Sequence, residues 1–200
     1  MRRGRDRTRL HSESAIHLDP RSPYVLDTRE LARRPGTMRK LSRVVPAPAD
    51  LGTEVIGVPE GSDLSLELRL ESVMEGVLVS GTVRGTVVGE CVRCLGDVEQ
   101  DVVVEVQELF AYPDREYGED DDVRALVGDL IDFEPALRDA VVPALPFQPV
   151  CREDCPGLCS ECGASLADDP DHQHEAVDPR WAALSSVLDD QTMIDRKKES

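Results

Sequence analysis

Leu64-Ser65-Leu66-Glu67-Leu68-Arg69-Leu70 alternates strictly, with leucine at every even position and Ser, Glu and Arg between. Successive side chains of an extended strand point to opposite faces, so the stretch predicts a strand with one buried face. The pattern continues downstream. Glu75-Gly76 is a turn signal. Val77 to Val88 is rich in Val and Thr and broken by Gly81 and Gly85, predicting a second, bulged strand. Val98 to Leu109, with Val102, Val104 and Val106 in step, predicts a third. Three β-segments joined by short turns favour an antiparallel meander.

Helix signals flank this region. Asp27-Thr28-Arg29-Glu30 is a capping-box pattern with an acid in place of Ser or Thr, and Arg33-Arg34-Pro35-Gly36 is a stop. Together they predict a helix of about two turns. After Leu126, Val127, Leu130 and Ile131, a second helix is expected from near Asp132, with Pro135 in its first turn. Leu137, Ala140 and Val141 form its buried stripe, and Pro143 ends it. Asp178-Pro179 predicts the start of a last helix, docked through Trp181, Leu184, Val187 and Leu188.

The 200 residues hold 23 Lys+Arg against 40 Asp+Glu, a formal charge of −17. Residues 1–45 carry +7 and residues 46–200 carry −24. A body that acidic repels phosphate and attracts a basic partner; only the N-terminal segment has the sign for direct RNA contact. The same charge also serves solubility. The acidic run over residues 112–122 reads as a solvated loop, lacking the Gly and the distal Glu at the positions a calcium loop requires. No apolar stretch approaches the roughly 18 residues of a membrane span. No apolar signal segment follows the basic N-terminus. A reducing, cytoplasmic setting is therefore expected, where clustered cysteines are metal ligands or redox thiols more often than disulfides. Residues 1–17 read as a disordered basic extension, 18–188 as a single domain and 189–200 as a disordered tail.

Cys91-Val92-Arg93-Cys94 sits between the second and third strands and is half of a zinc knuckle. Redox chemistry is the alternative. A thioredoxin-like pair, though, feeds a helix whose N-terminus lowers the thiol pKa, and here Leu95-Gly96-Asp97 leads into a strand. Cys151, Cys155, Cys159 and Cys162 lie within twelve residues, and His172 and His174 follow. One tetrahedral zinc takes four ligands, so the ligand set and the choice between one ion and two stay open. Reduced thiols and loop histidines remain the plain alternative. Zinc binding to such peptides contributes about 10–16 kcal/mol, against about 5–15 kcal/mol for the stability of a whole domain. A coreless segment such as 151–175 is thus expected to be ordered by metal. No Gly-rich phosphate loop or Gly-x-Ser-x-Gly turn is present, and neither an enzyme nor a small-molecule substrate is expected.

Cys91-x-Arg93-Cys94-Leu95, Leu145-Pro146, Cys155-x-Gly157-Leu158-Cys159-x-x-Cys162-Gly163-x-x-Leu166 and Asp178-Pro179-Arg180-Trp181 with Leu184 resemble the YceD-like family, the large ribosomal RNA subunit accumulation proteins. The wording resembles that of its high-GC Gram-positive branch. Many relatives have Cys-x-Cys where this chain has His172-x-His174, and both pairs can hold zinc. Enterobacterial relatives share the first Cys-x-Arg-Cys but lack much of the second cluster. The resemblance implies a non-enzymatic role in synthesis, processing or stability of 23S rRNA. It also implies a partner in the large-subunit precursor or a basic large-subunit protein, whose gene is a common neighbour. A zinc-ribbon transcription regulator and a thiol oxidoreductase using Cys91 and Cys94 are the competing readings. The expected fold is α+β: an antiparallel meander with flanking short helices and a zinc-ordered Cys-rich C-terminal segment.

Overall fold

The computed structural model describes residues 17–114 and 123–174. Its elements run in the order β1 (Val25–Asp27), a 3-10 turn (Arg29–Leu31), β2 (Met38–Pro46), β3 (Leu51–Gly52), β4 (Ile56–Val58), β5 (Asp63–Ser72), β6 (Gly76–Glu90), β7 (Asp97–Ala111), β8 (Arg124–Ala125), β9 (Leu130–Asp132) and α1 (Glu134–Ala144). The chain divides into two compact units, Met1–Glu153 and Asp154–Ser200.

In the first unit, β5, β6 and β7 form the expected antiparallel meander, with β2 antiparallel on the far edge of β5. The short β3–β4 hairpin pairs with β6 beyond the end of β5. The inner face carries Leu64, Leu66, Leu68 and Leu70 from β5, Val77, Val79, Val83 and Val87 from β6, and Val98, Val104, Val106 and Phe110 from β7, all buried. Burying each of these side chains contributes about 1.5–3 kcal/mol. Phe133, Ala136, Leu137 and Val141 add the buried residues at and within α1, which packs on β7 and β3. A separate two-stranded ladder joins β1 to β9.

Three expectations change. β6 carries no bulge: its register runs unbroken from Gly76 opposite Ala111 to Glu90 opposite Asp97. The glycines serve close approach instead. A Cβ on Gly81 would lie 2.1 Å from the Glu67 carbonyl oxygen, and one on Gly89 would lie 2.3 Å from that of Val55. The helix expected around residues 27–34 is one 3-10 turn, because Ala32 and Arg33 turn left-handed at φ 48° and 50°. Pro35 also disfavours helical backbone at the residue before it. Helix α1 begins after Asp132 and takes Pro143 into its last turn. The expected Trp181 helix, the terminal extension and tail, and residues 115–122 of the acidic loop lie outside the described residues.

Candidate metal centres

The β6–β7 connection is a tight knuckle. The Cys91 N–H donates to Gly96 O at 2.8 Å, and the Leu95 N–H donates to Cys91 O at 2.8 Å. Leu95 pays for this turn with a left-handed backbone, φ 59°. The second unit contains the same turn. The Cys159 N–H donates to Ala164 O at 2.8 Å, the Gly163 N–H donates to Cys159 O at 2.9 Å, and Gly163 has φ 72°. Two Cys-x-x-Cys segments, far apart in sequence, thus fold alike.

The turn prepares its first sulfur as an anion. Backbone N–H groups of Cys151, Cys94 and Arg93 bond the Cys91 sulfur and hold its thiol down at about 6, against burial. The N–H groups of Cys162 and Glu161 likewise lower the Cys159 thiol. Donors aimed at a sulfur favour its thiolate, which is the form that binds metal.

Other segments converge on each knuckle. In the first unit, the strap that follows α1 is fixed by a bond from the Val92 N–H to Pro149 O at 2.9 Å. Arg93 Nη1 donates to Glu153 O at 3.0 Å. This brings Cys151 Sγ to 3.6 Å from Cys94 Sγ. The sulfurs of Cys91, Cys94 and Cys151 all lie within 4.8 Å of one another. A tetrahedral zinc with Zn–S near 2.3 Å sets its sulfurs about 3.8 Å apart, so the spacing fits. Cys91 is fully enclosed while Cys151 is exposed.

In the second unit, Cys159, Cys162, His172 and His174 place one ligand atom each within 4.8 Å of all the others. Cys162 Sγ is 3.1 Å from Nε2 of both histidines, and the two Nε2 atoms are 2.9 Å apart. Three donor atoms crowd one point, as ligands of a shared cation do. The far ring nitrogens face carboxylates: His172 Nδ1 lies 3.6 Å from Asp169, and His174 Nδ1 lies 3.6 Å from Glu161. A carboxylate that hydrogen-bonds the outer nitrogen fixes the tautomer of a ligating histidine, and these two stand close to that position.

Two Cys/His groups could therefore hold a metal ion. Cys151 groups with Cys91 and Cys94, separated from them by more than fifty residues, and not with Cys159 and Cys162 nearby in sequence. Cys155 is buried at the start of the second unit. Asp169 and Glu161 went unnoticed in the sequence, although acids three residues before His172 and next to Cys162 were a usable signal.

Residues 79–188 match a family model described as the large ribosomal RNA subunit accumulation protein YceD. The chain belongs to the YceD family. A Mycobacterium tuberculosis relative, itself uncharacterised, is 51% identical over 170 residues, 84% of this chain and 82% of its own. An uncharacterised Mycobacterium leprae protein is 47% identical over 170 residues, 84% and 78% of the two chains. The uncharacterised protein YlbN of Bacillus subtilis is 31% identical over 105 residues, 49% of this chain and 58% of its own. No solved structure matches the chain. The stretch that matches the YceD model contains both candidate centres. Among the described residues, no helix is long and apolar enough to cross a membrane.

Proposed function

We propose that this YceD-family protein is a cytoplasmic ribosome-biogenesis factor that supports accumulation of 23S rRNA by binding rather than by catalysis. Its partner is a basic large-subunit protein or an early large-subunit precursor. The family match over residues 79–188 carries this reading. The charge agrees with it: residues 46–200 hold a net −24, which suits a basic protein better than naked RNA. Two structural zinc ions shape the fold. With Cys155, the donors number eight, as many as two tetrahedral ions take. Their sulfur-rich composition suits structural zinc, whose ligand shell is closed.

Depletion of the protein tests the function. Sucrose-gradient profiles are expected to lose mature large subunits, and the 23S-to-16S rRNA ratio is expected to fall. An unchanged ratio and profile would sink the reading.

A further inference from the structure

Strand β7 is paired along the whole of one edge but, among the described residues, only at the end of the other. Every residue from Asp97 to Ala111 faces a β6 partner. On the other edge, among the described residues, only Phe110 and Ala111 meet a strand, the two-residue β8. Among the described residues, no strand lies beside the edge from Asp97 to Leu109.

Two hydrogen bonds tell which peptide groups point outward. The Ala111 carbonyl accepts the N–H of Leu126, on the β8 side, whereas the Tyr112 N–H donates to Glu75 O, on the β6 side. Peptide groups alternate along a strand in antiparallel pairing. The odd-numbered residues 97–109 therefore turn their N–H and C=O groups to the open edge. Their side chains share one face of the sheet, opposite the buried face of Val98, Val104, Val106 and Phe110.

The same odd positions carry Asp97, Glu99, Asp101 and Glu105, all exposed. No ion pair among the described residues engages any of them; Asp101 accepts only the Thr86 hydroxyl at 3.2 Å. Free strand donors and acceptors thus coincide with an unneutralised row of carboxylates. Open edges are templates for another strand, and strand addition takes affinity from the main chain and specificity from alternate side chains.

We propose that the open edge of β7 takes up an extended basic segment of a partner polypeptide as an added strand, with Lys or Arg at alternate positions opposite Asp97, Glu99, Asp101 and Glu105. This rests on the reading that the partner is a basic protein and says where and how it docks. A second copy of the chain does not fit, because antiparallel β7–β7 pairing sets carboxylates against carboxylates, and like charges directly opposite destabilise a sheet. The same carboxylates repel nucleic-acid phosphates.

The test titrates the full-length, zinc-loaded protein with a ten-residue peptide alternating Lys and Thr, and follows amide hydrogen exchange residue by residue by NMR. Exchange at residues 99, 101, 103 and 105 is expected to slow at least about tenfold. Residues 100, 102 and 104, already paired with β6, are expected to change little. An E99K/D101K/E105K variant should keep its spectrum and lose the protection. A peptide of equal charge, N-methylated at alternate residues to remove its edge donors, should bind at least about tenfold more weakly, the equivalent of roughly 1.4 kcal/mol. Equal binding by the methylated peptide, protection confined to another strand, or no protection at all would overturn the proposal. Peptide protection of β7 alongside a normal 23S-to-16S ratio on depletion would instead overturn the proposed function and leave the edge site standing.

Discussion

Leu95 and Gly163 occupy the same place in two like turns, one with a side chain and one without. A left-handed backbone costs a non-glycine residue about 1–2 kcal/mol, and Leu95, 64% exposed, gains little burial in return. Glycine at 95 removes that cost but loses about 0.5–1 kcal/mol through its freer unfolded chain. Leu95→Gly is therefore expected to be neutral or up to about 1.5 kcal/mol stabilising by urea denaturation. Gly163→Ala goes the other way. No atom lies within 4 Å of the new Cβ, so the backbone alone sets the cost. Zinc affinity of the second centre, read by chelator competition, should fall about 5–30-fold, the factor that 1–2 kcal/mol corresponds to. A Leu95→Gly protein destabilised by more than about 1 kcal/mol would show that the leucine side chain is held by contacts.

Tyr24 gives a second test at this scale. Its hydroxyl donates to Pro46 O, tying the β1 segment to the end of β2. Burial, then Glu134, pushes the phenol from 10.0 to about 12, while Arg138 and Arg43 pull the other way. The folded value lies above the unfolded one, so the neutral hydroxyl's contribution is fully present below pH 10.0 and is lost as pH rises to about 12. Unfolding free energy should decline across that window, and Tyr24→Phe should flatten the decline. An equally steep decline in the Phe variant would contradict the burial account.

At the scale of elements, the sheet depends on chains that nearly touch. Gly81 lies opposite Leu68 on one side and Val106 on the other. A methyl group there would strike the Glu67 carbonyl, so Gly81→Ala is expected to cost about 1–3 kcal/mol, the range for forced overpacking. The urea midpoint should fall with an unchanged slope. An unshifted midpoint would mean that β5 and β6 separate more easily than their spacing implies. The three central strands were legible because Leu64 to Leu70 and the valines after them alternate with the period of a pleat. β2 was not, because its inward positions include Arg39 and Arg43, which break the apolar alternation although they share a face with Leu41 and Val45. The two-residue strands carry too little pattern to read at all. For the candidate centres, Cys-x-x-Cys spacing marked the knuckles, but the placement of Cys151 beside Cys91 and Cys94 follows from the course of the chain after α1, which no local pattern encodes.

At the scale of the whole molecule, the two units differ in what can hold them together. The first has a leucine- and valine-filled core from three long strands and a helix. In the second, among the described residues, only Cys155 and Gly157 are buried, so residues 154–174 offer no apolar core of their own. Zinc at such sites contributes about 10–16 kcal/mol, enough to order a short segment that burial cannot. Protein purified without chelator should therefore carry close to two zinc ions per chain by elemental analysis. C91S/C94S and C159S/C162S should each remove about one. Stripping the metal with a strong chelator should leave the far-ultraviolet β signal of the sheet largely intact, because leucines and valines fill its buried face. It should at the same time open residues 154–174 to limited proteolysis. Readdition of zinc should restore protection, since the donors are supplied by the chain itself. One zinc per chain in the unmodified protein would refute the two-ion assignment, and a protease pattern indifferent to chelation would refute metal as what orders the second unit. Loss of the whole β signal on chelation would place the first knuckle inside the folding core, in conflict with a sheet that buries its leucines and valines without metal.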